Sequence, residues 1–154
     1  MAKNNNDKIR PVNMVSLKMV REKKLGYDIP ITCPEEVIDL VQSFFQNSYR
    51  EVVLVIGLDA GNHPTMVHVV SMGSPTETAV SVPCVFKPLL LSNATGFILM
   101  HNHPANSLHP SSADKKITDN LKKIGEMLEI PFVDHIILNA DSSEYYSFKK
   151  IGSL

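Results

Sequence analysis

Residues 96–114 read GFILMHNHPANSLHPSSAD, and this stretch decides which fold and which chemistry to expect. Its apolar start, residues 96–100, is typical of a short buried strand. The strand leads directly into His101 and His103, and residues i and i+2 of a strand point to the same side, so both imidazoles can converge on one ion. A carboxylate from Asp114, returned by the next helix, would complete three protein ligands and leave a fourth position for water, as in catalytic zinc sites.

A purely structural interpretation of the same residues is a surface turn followed by a helix cap. Ser111 and Asp114 fit the [ST]-x-x-[DE] pattern of a helix start. Capping does not exclude a metal, because the same side chains can serve both purposes. Two aligned histidines directly after an apolar run have no obvious structural use, so the spacing HxH-x7-S-x2-D favours a metal site.

The segment resembles the JAMM metal-binding motif and, more narrowly, the JAB domain of the RadC family. The similarity extends from about Glu51 to Phe148 and includes three motifs of that family, which are HNHP at 101–104, DHxI at 134–137 and YYSF at 145–148. The chain departs from the family inside the loop, where Ala105-Asn106 stands in place of the usual Ser-Gly.

The resemblance implies a fold and a set of roles. The expected fold is α/β, a mixed β-sheet flanked by helices, as in JAB domains and the related cytidine deaminases. The implied cofactor is Zn²⁺, bound by His101, His103 and Asp114. Glu51 would be the general base, and the hydroxyl of Ser111 would donate a hydrogen bond to the tetrahedral oxyanion.

The choice of Glu51 as base rests on the resemblance. In the family a glutamate just before an early apolar strand holds the metal-bound water, and Glu51 stands just before Val52-Val-Leu-Val. A glutamate at a strand start is ordinarily a solvated charge, so spacing alone does not select it. Glu77, Glu35 and Glu144 remain rivals, with Glu77 second because it also precedes the motif.

Zinc nucleobase deaminases are a competing family that the sequence excludes. They use H-x-E followed by P-C-x-x-C, whereas this chain has HxH, and Lys87 stands three residues after Cys84. Cys33 and Cys84 lie outside any CxxC pair, so neither is expected to bind zinc. Cys84 is instead expected to be a small apolar residue near a helix start.

Composition limits the size and class of the protein. The chain has 154 residues, of which 44% are hydrophobic and 20% charged, so one domain can bury roughly two thirds of its unfolded surface. Residues 1–11 are short of apolar groups and rich in Asn and Lys, which predicts a disordered tail before a single domain at 12–154.

The charge and hydropathy of the chain indicate whether nucleic acid or a membrane is an expected partner. The formal net charge of -1 gives no overall attraction to nucleic acid or to an anionic membrane. No apolar run reaches the ~18 residues needed to span a bilayer, and the charged, Asn-rich start is unlike a signal peptide. We therefore expect a cytoplasmic protein with no membrane partner.

The apolar periodicity predicts alternating strands and helices. A capping box at Thr32 and Glu35 would begin a helix ending near Asn47, and residues 65–72 would pair with the preceding strand as a hairpin. The helix after the motif would bury Ile117, Leu121, Ile124 and Leu128. The predicted strands are 12–20 (at an edge), 51–58, 65–72, 96–100, 133–138 and 144–148, and the predicted helices are 32–47, 82–93 (with Pro88 inside) and 112–128.

The remaining histidines receive structural interpretations. His63, His68 and His109 are expected in a turn, a strand and a loop. His135 is expected to be a buried hydrogen-bonding partner behind the site, where it or Asp134 would orient the ligands.

Three hypotheses of function remain. The first is zinc-dependent hydrolysis of a peptide or isopeptide bond in an unidentified peptide or protein substrate, and the complete motif favours it. The second is association with DNA, in repair or on mobile elements, which the RadC label suggests. The slightly acidic charge does not support that hypothesis, and we expect the amino-terminal helix-hairpin-helix module of full-length RadC proteins to be lacking. The third is a non-catalytic JAB scaffold, which predicts eroded ligands. The oligomeric state stays open.

Overall fold

A five-stranded mixed sheet forms the centre of the fold. The computed structural model describes residues 12–27, 29–46, 48, 50–73, 80–103, 105–142 and 144–154. Across the sheet the strands run in the order β2-β1-β3-β4-β5, and only the pair β3–β4 is parallel. The strands are β1 (Val52–Leu58), β2 (Pro64–Met72), β3 (Gly96–Asn102), β4 (Phe132–Leu138) and β5 (Tyr145–Ser147), and the helices are α1 (Pro34–Val41), α2 (Val82–Leu91) and α3 (Ser112–Met127). The α/β fold expected from the sequence is confirmed.

Helices cover both faces of the sheet, which divides the core into two layers. Leu54 and Ile56 of β1 pack on the face covered by α1, while Val53 and Val55 pack on the face covered by α2 and α3. All seven residues of β1 and all seven of β3 are buried, because these strands are covered on both faces. None of the helices in the described ranges is long and apolar enough to cross a membrane.

The first helix and the hairpin follow the predicted pattern with shifted details. β1 and β2 pair antiparallel, as expected of a hairpin, but β2 is only partly buried because it lies at the sheet edge. Ahead of α1, the main-chain N–H of Cys33 donates to the side chain of Glu36 at 3.1 Å. The capping glutamate is therefore Glu36, and the prediction of Glu35 is wrong by one residue. α1 ends at Val41 and a 3₁₀ turn follows; the predicted end at Asn47 lies outside the described residues.

Helix α3 meets the sheet along a line different from the predicted one. Its buried residues are Asp114, Thr118, Leu121 and Gly125, while Leu128 is 41% exposed, so placing Leu128 in the core was wrong. The reason is the close approach at Gly125, where an added Cβ would lie 2.6 Å from the main-chain oxygen of the returning chain. Contact there rotates the preceding turns so that the polar residues at 114 and 118 face the sheet.

Two further expectations are wrong. Residues 12–20 form no strand, and their apolar side chains are exposed, Val12 by 93% and Val20 by 81%. Alternation alone does not make a strand, because the backbone also needs a neighbour to pair with. Cys84 lies in the first turn of α2 as expected, but it is exposed and does not pack as an apolar residue. The tail predicted at residues 1–11 lies outside the described residues.

Candidate metal centre

Three side chains from two elements converge on one point. His101 lies on β3, His103 follows the end of that strand, and Asp114 lies in the first turn of α3. The Nε2 atoms of the histidines are 3.1 Å apart. Oδ1 of Asp114 lies 3.2 Å from Nε2 of His101, and Oδ2 lies 3.4 Å from Nε2 of His103. The three groups predicted as ligands are therefore together and can hold a metal ion.

The separations suit tetrahedral coordination. Ligand atoms about 2.05 Å from a zinc ion and about 109° apart are separated by about 3.3 Å. The observed values of 3.1, 3.2 and 3.4 Å lie around that figure, with the last two measured to different oxygens of the Asp114 carboxylate. Two imidazole nitrogens and one carboxylate oxygen form a donor set used by catalytic zinc, with one position left for another ligand.

The ring orientation of His103 is set by the loop that follows it. Its Nδ1 lies 2.7 Å from the main-chain oxygen of Ser107, and a carbonyl can only accept, so Nδ1 carries the hydrogen and Nε2 presents its lone pair to the site. The loop turns at Asn106, whose φ of 55° is left-handed, a conformation that Asn tolerates well. Asn106 stands where the family usually has Gly, so this departure preserves the geometry of the ligand.

A buried chain of hydrogen bonds sets the tautomer of His101. The hydroxyl of Thr118 donates to the main-chain oxygen of Asp114 at 2.6 Å, so it must accept from Nδ1 of His135, also at 2.6 Å. His135 is 0% exposed, and burial lowers its pKa well below the usual value, so the ring is neutral and Nε2 is an acceptor. Nδ1 of His101 therefore donates to it at 3.0 Å, which leaves Nε2 of His101 bare toward Asp114. His135 is the buried partner that the sequence predicted.

Ser111 holds the carboxylate of Asp114 in place. The main-chain N–H and the hydroxyl of Ser111 both donate to Oδ2 of Asp114, at 2.7 and 2.6 Å. In return the N–H of Asp114 donates to Oγ of Ser111 at 3.1 Å, so the pair forms a capping box. The oxyanion role of Ser111 stays a prediction, and it requires that the hydroxyl hydrogen turn away from Asp114.

The electrostatics of the cluster favour a positive charge between the ligands. Burial opposes the ionised form of Asp114, but His101 and His103, which can donate to the carboxylate when their Nε2 atoms carry protons, outweigh it and hold the pKa of that carboxyl well below its usual range. The hydrogen bond with Asp114 likewise raises the pKa of His103. Two bare nitrogens facing a carboxylate repel one another unless a proton or a metal ion lies between them.

Glu51 lies on the same side of the sheet, beside the ligands. β1 pairs with β3 so that Val53 is opposite His101. Glu51 precedes Val53 by two residues and His103 follows His101 by two, so the same register, continued for two pairs, would place Glu51 next to His103. Glu51, His101 and Asp114 line one pocket, and the charge of Glu51 contributes to the raised pKa of His103. A carboxylate in this position can exchange a proton with a molecule held between the ligands.

Asn102 fixes the main chain on both sides of Glu51. Its Oδ1 accepts from the N–H of Val52 at 2.8 Å, and its Nδ2 donates to the oxygen of Arg50 at 3.1 Å. These two bonds continue the pairing between β1 and β3 past the end of the strands. A buried amide between the histidines therefore determines where Glu51 lies.

The rival bases lie elsewhere or are not described. Glu35 accepts from the hydroxyl of Tyr145, and Glu144 accepts from Ser142 in an exposed turn; neither lines the pocket. Glu77 lies outside the described residues.

Other polar residues take the structural places expected of them. His63, His68 and His109 lie in a turn, in β2 and in a loop, and none of them lines the pocket. Asp134 accepts from the hydroxyl of Ser147 at 2.6 Å and from the N–H of Lys149 at 3.0 Å. Burial raises the pKa of Asp134. It anchors the carboxyl-terminal turn, and the ligand-orienting contact belongs to His135 alone of the two candidates.

Comparison with known proteins places the chain in a family. A model of the RadC-like JAB domain matches residues 31–153. The chain belongs to the RadC-like JAB domain family. A UPF0758 protein of Flavobacterium johnsoniae is 37% identical over 122 residues, which cover 79% of this chain and 52% of that protein. UPF0758 proteins of Thermosynechococcus vestitus and Thermotoga maritima are 35% identical over 137 and 105 residues, which cover 89% and 68% of this chain and 54% and 46% of theirs. The chain thus spans about half the length of the curated relatives it matches.

Several residues important for this RadC-like site escaped the sequence analysis. Thr118 follows Asp114 by four residues, and that spacing places both on one helix face, so the pattern itself was sufficient to find it. The carbonyl of Ser107 acts through the main chain, which leaves no residue signature. Asn102 was visible as part of the HNHP motif, but its side-chain bonds to the main chain on either side of Glu51 were not predicted.

Removing the hydroxyl of Thr118 tests the hydrogen-bond chain. Thr118→Val keeps the side-chain shape but frees Nδ1 of His135, so the tautomer of His101 is no longer set. We expect metal affinity to fall about 10- to 100-fold, measured by competition with a zinc chelator. Thr118→Ser should restore it, and Thr95→Val, at the other end of β3, should leave it unchanged. Wild-type metal affinity in a folded Thr118→Val protein would show that the hydrogen bonds through Thr118 and His135 do not control metal binding.

Truncating Asn102 tests the clamp. Asn102→Ala leaves the N–H of Val52 without its acceptor, at a cost of about 1–3 kcal/mol in the free energy of unfolding. We expect faster amide exchange at Val52 and retained metal, since no ligand atom is lost. Asn139→Ala, which removes a hydrogen bond in an exposed turn, is the control. Unchanged exchange at Val52 would contradict the clamp.

Proposed function

We propose that this RadC-like JAB domain is a zinc-dependent hydrolase of the JAMM type that cleaves a peptide or isopeptide bond. The observation that carries the proposal is the cluster of two imidazole nitrogens and one carboxylate group at separations of 3.1, 3.2 and 3.4 Å, with the carboxylate of Glu51 in the same pocket. The ligand tautomers also support it, because both Nε2 lone pairs face the point where an ion would lie.

Each residue has a defined task in this reaction. His101, His103 and Asp114 would hold the ion, which supplies Lewis acidity that lowers the pKa of a bound water toward ~7. Glu51 takes a proton on its carboxylate from the attacking water and gives it to the leaving amine, a contribution of roughly 10² to 10⁴ in rate. Ser111 donates its hydroxyl hydrogen to the developing oxyanion, where losing one donor costs on the order of 10² to 10³.

A hydrolase accounts for more of the molecule than a scaffold does. A scaffold would need neither the buried hydrogen bonds behind His101 nor the carboxylate of Glu51 beside the ligands. Keeping His135 neutral and desolvated costs free energy, since burial opposes its charged form. Such an arrangement is expected where ligand orientation matters for chemistry.

Metal content is the first test. We expect about one zinc per chain in the purified protein by elemental analysis, and its loss in a His101→Ala/His103→Ala variant. The matched control is His63→Ala/His68→Ala, which removes two histidines of the β1–β2 hairpin away from the pocket and should keep the zinc. Equal zinc in a folded His101→Ala/His103→Ala protein would rule out this site.

The base is tested with a nearly isosteric change. Glu51→Gln should keep the fold and the zinc while hydrolysis falls by at least ~10², because the amide cannot accept the proton. A peptide library screened with zinc-loaded wild-type protein supplies the substrate for the rate measurement. Glu144→Gln, outside the pocket, should cleave at the wild-type rate. If Glu51→Gln is fully active and Glu77→Gln is inactive, the base is Glu77.

A further inference from the structure

The pocket beside the metal ligands extends beyond the reacting groups. It has a volume of about 370 Å³ and lies between the sheet, helix α3 and the segment that enters α2. One end carries Glu51, His101 and Asp114, and His135 lies at its floor. The rest of its wall is largely apolar and is formed by Val53, Val80, Leu99, Ala113 and Ile117. Such a wall can take the hydrocarbon part of a substrate residue next to the scissile bond.

Two polar side chains of α3 interrupt this apolar wall. Lys116 and Asn120 both line the pocket, and their spacing of four residues stacks them on one helix face. None of the ion pairs found in the described part of the chain involves Lys116. An ammonium group and an amide N–H group, both donors, therefore border the pocket, and no carboxylate among the described residues is found as their partner.

The balance of charges around the pocket favours the binding of an anion. A divalent ion at the ligands would be balanced by the carboxylates of Asp114 and Glu51. Lys116 then adds a positive charge that no other described residue of the pocket wall neutralises. Along the helix, Lys116 lies about 3 Å beyond Asp114 and Asn120 about 9 Å beyond it. An extended chain advances about 3.4 Å per residue, so these donors lie about one to three residues from the bond that would be cleaved.

We propose that this pocket is a substrate subsite for a residue that carries a carboxylate, with Lys116 and Asn120 as the carboxylate ligands. The inference rests on the proposed hydrolase function and adds a substrate class to it. The apolar wall takes the carbon skeleton of that residue. The carboxylate is either the carboxyl terminus of a peptide or an acidic side chain, and the two share the same binding chemistry.

Binding of small probes to the zinc-loaded protein tests the subsite without any turnover. We use 2-isobutylsuccinate, in which one carboxylate can reach the metal, the other can reach Lys116 and the branch is apolar. Acetohydroxamate is the probe for the metal alone. By calorimetry, Lys116→Ala should weaken the dicarboxylate by about tenfold or more and leave acetohydroxamate unchanged. Lys115→Ala, the neighbouring lysine outside the pocket, is the matched control and should bind both probes like wild type.

Three peptides distinguish the sources of the carboxylate. Acetyl-Gly-Leu has a free carboxyl terminus, acetyl-Gly-Leu-amide has none, and acetyl-Gly-Glu-amide has only a side-chain carboxylate. Binding of the first that depends on Lys116 assigns the subsite to a carboxyl terminus; dependence in the third assigns it to an acidic side chain. Equal affinity of wild type and Lys116→Ala for every carboxylate, with acetohydroxamate still bound, overturns the subsite alone. A protein that binds neither zinc nor acetohydroxamate overturns the hydrolase proposal, and the subsite with it.

Discussion

The site depends on a constraint in β3, which is buried on both faces and paired on both edges. A slip of one residue would move Leu99 from one core layer to the other and would turn His101 away from α3. The register is therefore held by the packing of the whole sheet. His101 lies two residues after Leu99 and therefore on the same face of the sheet. The same packing thus directs its ring toward the face on which α3 places Asp114.

Within that frame the ligands are coupled by a closed circuit of three hydrogen bonds and one close contact. Starting from the main-chain oxygen of Asp114, the circuit passes through Thr118 and His135 to His101, whose other nitrogen faces the side chain of Asp114. The circuit thus begins at the main-chain oxygen of Asp114 in α3 and closes at the side-chain carboxylate of the same residue. A shift of α3 against the sheet changes both ligands at once, so metal geometry and helix packing are not independent.

The parts predictable from the sequence are those in which local pattern and tertiary packing agree. The apolar runs of β1 and β3 and the spacing of His101, His103 and Asp114 are such parts, and the structure brings the three ligand groups together as expected. The exposed position of Leu128 was not predictable in this way, because the chain turns back after α3 and brings the main-chain oxygen of Ile130 against Gly125, a main-chain contact that apolar periodicity does not reveal. Residues 12–20 show the converse case, in which the alternation is present but no strand pairs with it.

The ends of the strands explain the positions of Glu51 and His103. A ladder of main-chain bonds must stop somewhere, and the last donors and acceptors then need other partners. Here the side chain of Asn102 supplies them, so the chain at Glu51 can leave the sheet while staying on the face set by Val53. His103 leaves the opposite strand at the same level and is held by the loop instead. Both residues leave the ladder at neighbouring strand ends, Glu51 just before β1 and His103 just after β3, and Glu51 lines the pocket there together with His101.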